Sequence, residues 1–150
     1  MITITLKNAD KIQQAFREYP EKSAKEFNAA IRQSLIAIQD LATQKSPTDQ
    51  GHLRSEWDLQ MGFMRGSLEP KMPYAPFIEF GTAPHWAPIA SLIPWAKRHG
   101  ISPYAVQASI AKKGTKAQPF FIPAVEESMD NITRFFETAL AKIPPLNKNI

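Results

Sequence analysis

The prolines of this chain divide it into two regular ends and a segmented centre. There are 13 of them, and most lie between Pro70 and Pro123. Proline lacks a backbone N–H and clashes with the preceding helical turn, so it ends helices and is kept out of the interior of sheets. The sequence therefore predicts long elements near the two ends of the chain and short elements joined by turns in the middle.

The N-terminal third carries two amphipathic helix patterns. Apolar residues recur at helical spacing over 12–19 and again over 24–41, and Pro20 is suited to the first position of the second helix. This second helix should end near Lys45, because Pro47 disfavours helical geometry in the residue before it. Its apolar stripe is typical of a helix that packs on a core, although a partner or membrane helix would show the same stripe.

Four segments between residues 2 and 82 are candidates for strands. Residues 2–6 alternate apolar and β-branched polar side chains, and residues 53–63 alternate apolar and polar ones, which is typical of strands with one wet face. Arg65-Gly66 is suited to a hairpin turn, with the returning strand at 67–69. The apolar run 74–82, bounded by prolines and a glycine, predicts either a further short buried strand or a tight connection.

The second half predicts helices. Residues 88–113 form a helical hairpin, restarted by Ser102-Pro103 and inserted between sheet elements. Residues 125–143 form a C-terminal helix, and residues 146–150 a loose tail. Together these elements predict one α+β domain over residues 1–150. In that domain an antiparallel sheet of about four strands is packed by the long N-terminal helix and the C-terminal helix.

Glu79 is the only charged residue in the apolar run 74–82. An unpaired buried carboxylate is very costly, so two interpretations are open. Glu79 either points to solvent from the wet face of a strand, or it is buried against a basic group, for instance on a neighbouring subunit.

Composition argues against several functional classes. The chain has no cysteine, which removes disulfides, thiolate metal sites and a cysteine nucleophile. Its three histidines are dispersed, and no local hydrolase, metalloprotease or nucleotide-binding motif occurs. No apolar run approaches the ~20 residues of a membrane span, and the first residues do not resemble a signal peptide. We therefore expect no catalytic residue, cofactor or metal, no membrane partner, and synthesis in the cytoplasm.

The net charge of +4 is mild for a dedicated nucleic-acid binder, but the basic residues cluster. A DNA-binding module is therefore the alternative function, with Trp86 or Trp95 as a stacking surface. The competing interpretation is that the basic residues solvate turns and the tryptophans belong to the core. The basic residues that could contact DNA or an acidic partner at one end of the helical hairpin are Lys97, Arg98, Lys112, Lys113 and Lys116.

Three blocks in order carry a family resemblance: Ser-Pro-Thr-Asp-Gln-Gly-His-Leu-Arg at 46–54, Tyr-Ala-Pro-Phe-Ile-Glu-Phe-Gly-Thr at 74–82, and Gln-Pro-Phe-Phe-Ile-Pro-Ala at 118–124. The chain resembles the neck and tail-completion proteins of long-tailed bacteriophages, which are also described as putative tail components. Gln50 departs from the threonine usual in the first block. The hairpin at 88–113 is longer and more aromatic than the family pattern.

The resemblance implies a non-catalytic virion structural protein, made in the cytoplasm of a host bacterium, that joins head to tail during virus assembly. It implies a homo-oligomeric connector ring, with six copies by analogy to the tail. Expected partners are head-closure or connector proteins, tail-terminator or tail-tube proteins, and DNA passing through the channel. The implied assembly interface comprises Tyr74, Glu79, Phe80, Gly81, Thr82, Gln118, Pro119 and Phe120.

Overall fold

The computed structural model describes residues 9–47 and 52–144, and the predicted strand at 2–6 and tail at 146–150 lie outside these ranges. Within them the chain is helix-rich, with one antiparallel pair of strands. The elements are α1 (Ala9–Glu18), α2 (Pro20–Lys45), α3 (His52–Ser55), β1 (Trp57–Gly62), β2 (Arg65–Pro70), α4 (Ala75–Phe80), α5 (Ile89–Arg98), α6 (Pro103–Lys113) and α7 (Phe121–Ala141).

The two longest helices, α2 and α7, pack antiparallel and form the body of the protein. Lys45 Nζ lies 2.6 Å from Glu127 Oε1 where α2 ends and α7 begins. At the opposite end, Lys142 Nζ lies 3.4 Å from Glu26 Oε2. The predicted bounds of α2 are confirmed, since it begins at Pro20 and ends at Lys45.

Small buried residues bring α2 and α7 close together. The buried serines among them cost little, because each hydroxyl donates to a backbone carbonyl: Ser34 Oγ to Ala30 O at 2.8 Å, Ser128 Oγ to Ala124 O at 2.7 Å, and Ser23 Oγ to Ala15 O of α1 at 2.9 Å. The small buried residues of the pair are Ser23, Ala30, Ser34 and Ala42 on α2, and Ala124, Ser128 and Ala139 on α7.

Two hydrophobic clusters lie along this helix pair. In one, Phe27 packs edge-on against Phe16 of α1 and Phe136 of α7, with ring centroids 5.3 and 5.7 Å apart. In the other, Trp57 of β1 packs against Phe120 and Phe121 where α7 begins, at 6.4 and 6.0 Å. The second cluster closes the end of the helix pair where α2 ends and α7 begins.

The predicted sheet of about four strands is corrected to a two-stranded hairpin in the described ranges. β1 and β2 pair from Trp57 with Pro70 to Gly62 with Arg65, which places the turn at Phe63-Met64 instead of Arg65-Gly66. Gly66 instead allows β2 to pack closely on α2, because a Cβ at this position would lie only 2.6 Å from Leu35 Cδ1. The hairpin lies on α2, so the core forms mainly between helices.

The predicted strand at 74–82 is also wrong, since residues Ala75–Phe80 form α4. Pro76 occupies the first turn of this helix, where its missing N–H costs nothing. Ala75 and Glu79, one turn apart, face inward, whereas Phe77 and Phe80 face solvent. A short apolar run is compatible with either element, and its periodicity alone does not separate them.

The predicted helical hairpin at 88–113 is confirmed as α5 and α6, but the elements before and after it are the helices α4 and α7 and not strands of a sheet. We call residues 82–115 the arm. Within it Gln107 is buried, and its side-chain Nε2 donates to the Ala87 carbonyl at 2.7 Å. Neither hydrophobic cluster of the described residues contains a residue of the arm. The arm therefore extends from the body without contributing to its core.

Candidate functional site

Glu79 caps α7 from a different helix. It is 5% exposed. Its Oε2 accepts hydrogen bonds from the N–H groups of Phe120 and Phe121 at 2.8 and 2.9 Å, and its Oε1 accepts one from Ile122 at 3.0 Å. A helix leaves its first four N–H groups without helical partners. Because Pro123 at the fourth position has no N–H, Glu79 satisfies every donor that remains, and its charge complements the helix dipole.

The structure overturns the solvent-facing interpretation of Glu79 and confirms its burial, with backbone N–H groups as partners instead of a basic side chain. The side chain does not face solvent from a strand, and both carboxylate oxygens bind backbone N–H groups of the same chain. Phe120, predicted as an interface residue, is 1% exposed and packs against Trp57 in the core of the same chain. The sequence blocks at 74–82 and 118–124 are therefore one structural unit, in which the carboxylate of the first caps the helix begun by the second.

The block at 46–54 contributes a second helix cap. Arg54 Nε donates to the carbonyl of Thr43 at 3.0 Å, and its Nη2 donates to the carbonyl of Gln44 at 3.3 Å. Both carbonyls lie in the last turn of α2, where they lack helical partners and where positive charge is favoured. This role was not predicted from the sequence. The sequence shows an arginine nine residues after a helix that ends before a proline. This spacing does not by itself identify the carbonyls that the arginine binds.

A backbone bridge joins the two ends of the arm. Thr82 and Thr115 exchange N–H to carbonyl hydrogen bonds at 3.1 and 3.2 Å, and their hydroxyls lie 3.0 Å apart. Gly81 and Gly114 flank the bridge with φ of 69° and 72°. A Cβ at Gly114 would lie 1.9 Å from Thr82 O, so only glycine permits this approach. Gly81 and Thr82, predicted as interface residues, instead hold the base of the arm.

Large aromatic side chains are exposed on α4 and at the base of the arm. Phe77, Phe80 and Trp86 are 60%, 69% and 72% exposed, and Tyr74 is 42% exposed. We call these four residues the aromatic face. Large exposed apolar surfaces usually mark sites of protein–protein contact. Of the predicted interface residues, Tyr74 and Phe80 belong to this face, and Gln118 and Pro119 are exposed as well.

A groove of about 680 Å³ runs between α4 and the base of the arm. Its walls are largely apolar, formed by Phe77 and Ile78 on one side and by Pro88, Leu92 and Ile110 on the other. The lining residues of the described chain include no carboxylate. The ring of His85, which also lines it, approaches the Ala83 carbonyl, with Nδ1 3.0 Å from that oxygen. The apolar walls of the groove favour docking of an apolar surface.

The basic residues of the arm do not share one end, which corrects their predicted placement. Lys97 and Arg98 end α5 at the tip of the arm, whereas Lys112, Lys113 and Lys116 lie at its base beside the Thr82–Thr115 bridge. We call the latter three the arm-base lysines. The length of α6, about 15 Å at 1.5 Å per residue, separates the two groups. DNA contact by either group remains a prediction.

The two tryptophans proposed as stacking surfaces differ. Trp86 is 72% exposed. Trp95, 37% exposed, already stacks on His99 with ring centroids 4.1 Å apart, and His99 Nδ1 lies 2.9 Å from the Trp95 carbonyl. Of the two, Trp86 therefore presents the more accessible ring.

Among residues 9–47 and 52–144, no group of three acidic or histidine side chains is arranged to hold a metal ion. In the same ranges no helix combines the length and apolarity needed to cross a bilayer. Comparison with models of known families, with curated protein sequences and with solved structures finds no match to this chain.

Proposed function

We propose that this chain is a structural subunit of the head–tail connector of a tailed phage or prophage, where copies of it form a ring that joins the tail to the head. The observation that carries the proposal is the arm, which supplies no residue to either hydrophobic cluster of the described chain, while its base and α4 expose the aromatic face. A two-helix hairpin with few buried apolar contacts gains little from folding alone, because isolated helices of this length are marginal in water.

The rigidity of the arm base also suits a docking role. The Thr82–Thr115 bridge closes the base of the arm, and the hydrogen bond from Gln107 to the Ala87 carbonyl orders its interior, so the arm is structured before any partner arrives. Pre-organised surfaces bind more tightly, because less conformational freedom is lost on association. The order of the three sequence blocks resembles that of the neck and tail-completion proteins. This resemblance supports the head–tail junction as the place where the docking occurs.

The test is a deletion of the coding sequence in the phage or prophage that encodes it, followed by electron microscopy of the lysate. We expect full heads and complete tails that remain unjoined, and rescue by the wild-type chain supplied in trans. A double variant, Phe80→Ser with Trp86→Ser, should rescue poorly. The matched control is Ile36→Ser, which alters another exposed apolar residue, 40% exposed, on α2.

Two results would contradict the proposal. One is joined, infectious particles in the deletion strain. The other is full rescue by the double variant when its melting temperature equals that of the wild type.

A further inference from the structure

The positive charge of this protein is concentrated in and beside the arm. The whole chain has 18 basic and 14 acidic residues, which gives a net charge of +4. Between Glu79 and Glu126, however, the sequence contains no aspartate or glutamate, whereas it contains Lys97, Arg98 and the three arm-base lysines. The charge of these basic residues alone exceeds the net charge of the chain, so the remainder of the protein is close to neutral.

These basic residues are presented to solvent. Lys97, Arg98 and the three arm-base lysines are all exposed. Among residues 9–47 and 52–144, the ion pairs join α2 to α7, as Lys45 does with Glu127, and none involves an arm-base lysine. A surface that carries charge of a single sign raises the local concentration of the opposite ion and steers charged partners toward it. The arm is therefore suited to an anionic partner.

The exposed surface of α6 has little capacity to read a DNA sequence. Glutamine reads adenine through its side-chain amide, but Gln107 is 8% exposed and its Nε2 already donates to the Ala87 carbonyl at 2.7 Å. Ala105, Ala108 and Ser109 are exposed in the middle of the helix and offer one short hydroxyl. Contacts to base edges specify a sequence, whereas contacts to phosphates do not. Binding through this surface therefore depends on phosphates.

From this charge distribution we propose that the arm binds the phosphate backbone of double-stranded DNA, independently of the DNA sequence. Duplex DNA carries one negative charge per ~1.7 Å of its axis, so a segment as long as α6, about 15 Å, presents about nine phosphate charges. The inference goes beyond the docking role of the aromatic face and does not depend on it.

The absence of carboxylates favours DNA over an acidic protein as the partner. A polyanion repels every carboxylate that lies near it, because its charges all have the same sign. The surface of a protein carries charges of both signs, so a complementary surface can keep some carboxylates of its own. The stretch between Glu79 and Glu126 keeps none.

The salt dependence of DNA binding tests this inference. The purified full chain is titrated into a short labelled duplex, and binding is followed by fluorescence anisotropy at about 50–200 mM salt. Each phosphate contact contributes about −0.9 to the slope of log K against log salt concentration, so replacing the three arm-base lysines should make the slope shallower by about 2.7. The alanine variant carries Lys112→Ala, Lys113→Ala and Lys116→Ala.

Two controls separate charge at the arm from general effects. A variant with Lys22→Ala, Lys25→Ala and Arg32→Ala removes three exposed basic residues from α2, and it should keep the wild-type slope. Arginine in place of each arm-base lysine should also keep the slope, because the charge is retained. Two duplexes of unrelated sequence should bind within about 3-fold of each other, since a single wrong base pair in a specific site already costs about 1–3 kcal/mol.

Three results would overturn the inference. The first is no binding of duplex by the wild-type chain at about 50 mM salt, which would leave an acidic protein as the partner of the arm. The second is an equal slope for the arm-base and α2 alanine variants. The third is tighter binding of single-stranded DNA than of duplex, lost in Trp86→Ala, which would assign base stacking to that exposed ring. Unjoined heads and tails in the deletion strain would still support the connector role after any of these results.

Discussion

Replacing Glu79 by glutamine should destabilise the fold substantially, although the two side chains have nearly the same shape. The carboxylate accepts three backbone hydrogen bonds of 2.8–3.0 Å at a site that is 5% exposed. Glutamine keeps one oxygen and replaces the other with an NH₂ group, which would face N–H donors of α7. At least one buried donor then loses its acceptor, and the helix loses a negative charge at its N-terminus.

The magnitude follows from these losses. A hydrogen bond to a charged group contributes ~1.5–3 kcal/mol, and a partly buried charge at a helix terminus contributes up to ~2 kcal/mol. Because the two contributions overlap, we expect Glu79→Gln to lower the free energy of unfolding by about 3 kcal/mol. For a chain of 150 residues, this corresponds to a fall of roughly 6–12 °C in Tm.

Urea and thermal unfolding followed by circular dichroism at the helix band provide the assay. The matched control is Glu127→Gln, the same substitution near the start of the same helix, where the side chain is 56% exposed and pairs with Lys45. An exposed pair contributes ~0–1 kcal/mol, so the control should shift Tm by only a few degrees. Equal Tm values for Glu79→Gln and Glu127→Gln would refute the capping role. An unchanged Tm with impaired ring assembly would instead restore the contact to a neighbouring subunit.

Three further predictions concern the second cap, the arm base and DNA. Arg54→Met should lower the free energy of unfolding by ~1–3 kcal/mol in the same urea assay, because two carbonyls at the end of α2 lose a charged donor. Gly114→Ala should cost more stability than Gly100→Ala, because both residues have positive φ but only Gly114 lies against backbone. Equal losses would show that the bridge is not tightly packed. If the arm-base lysines bind DNA, their replacement by alanine should weaken duplex binding and reduce its salt dependence in a mobility-shift assay. Unchanged, salt-insensitive mobility of DNA with the wild-type chain would exclude that role.

Elements held by local patterns were predictable from the sequence. The start of α2 at Pro20 and its end at Lys45 follow from proline geometry and helical periodicity, which depend only on neighbouring residues. The same holds for the break between α5 and α6, where Gly100 takes φ of 66° and Pro103 begins the next helix. The strand predicted over 53–63 is confirmed only for β1 (Trp57–Gly62), since His52–Ser55 form α3 and the burial of β1 falls steadily from Trp57 to Gly62 instead of alternating between two faces.

The predictions that failed concern short segments whose form depends on distant partners. The hairpin turn lies at Phe63-Met64 and not at the predicted Arg65-Gly66, because Gly66 belongs to β2 and lies against α2. The run 74–82 became a helix instead of a strand, since one turn of helix places Ala75 and Glu79 together on the inner face. No local rule distinguishes these outcomes, because the deciding contacts lie outside the segment.

By itself the sequence determined the long helices, the inserted helical hairpin and the presence of one carboxylate in an apolar run. Only the tertiary structure decided what that carboxylate binds. Glu79 and Phe120 are 41 residues apart, and their hydrogen bond exists only because α4 packs against the start of α7. Tertiary packing also left the aromatic face exposed, because α2 and α7 bury their apolar stripes against each other and leave the arm outside the core.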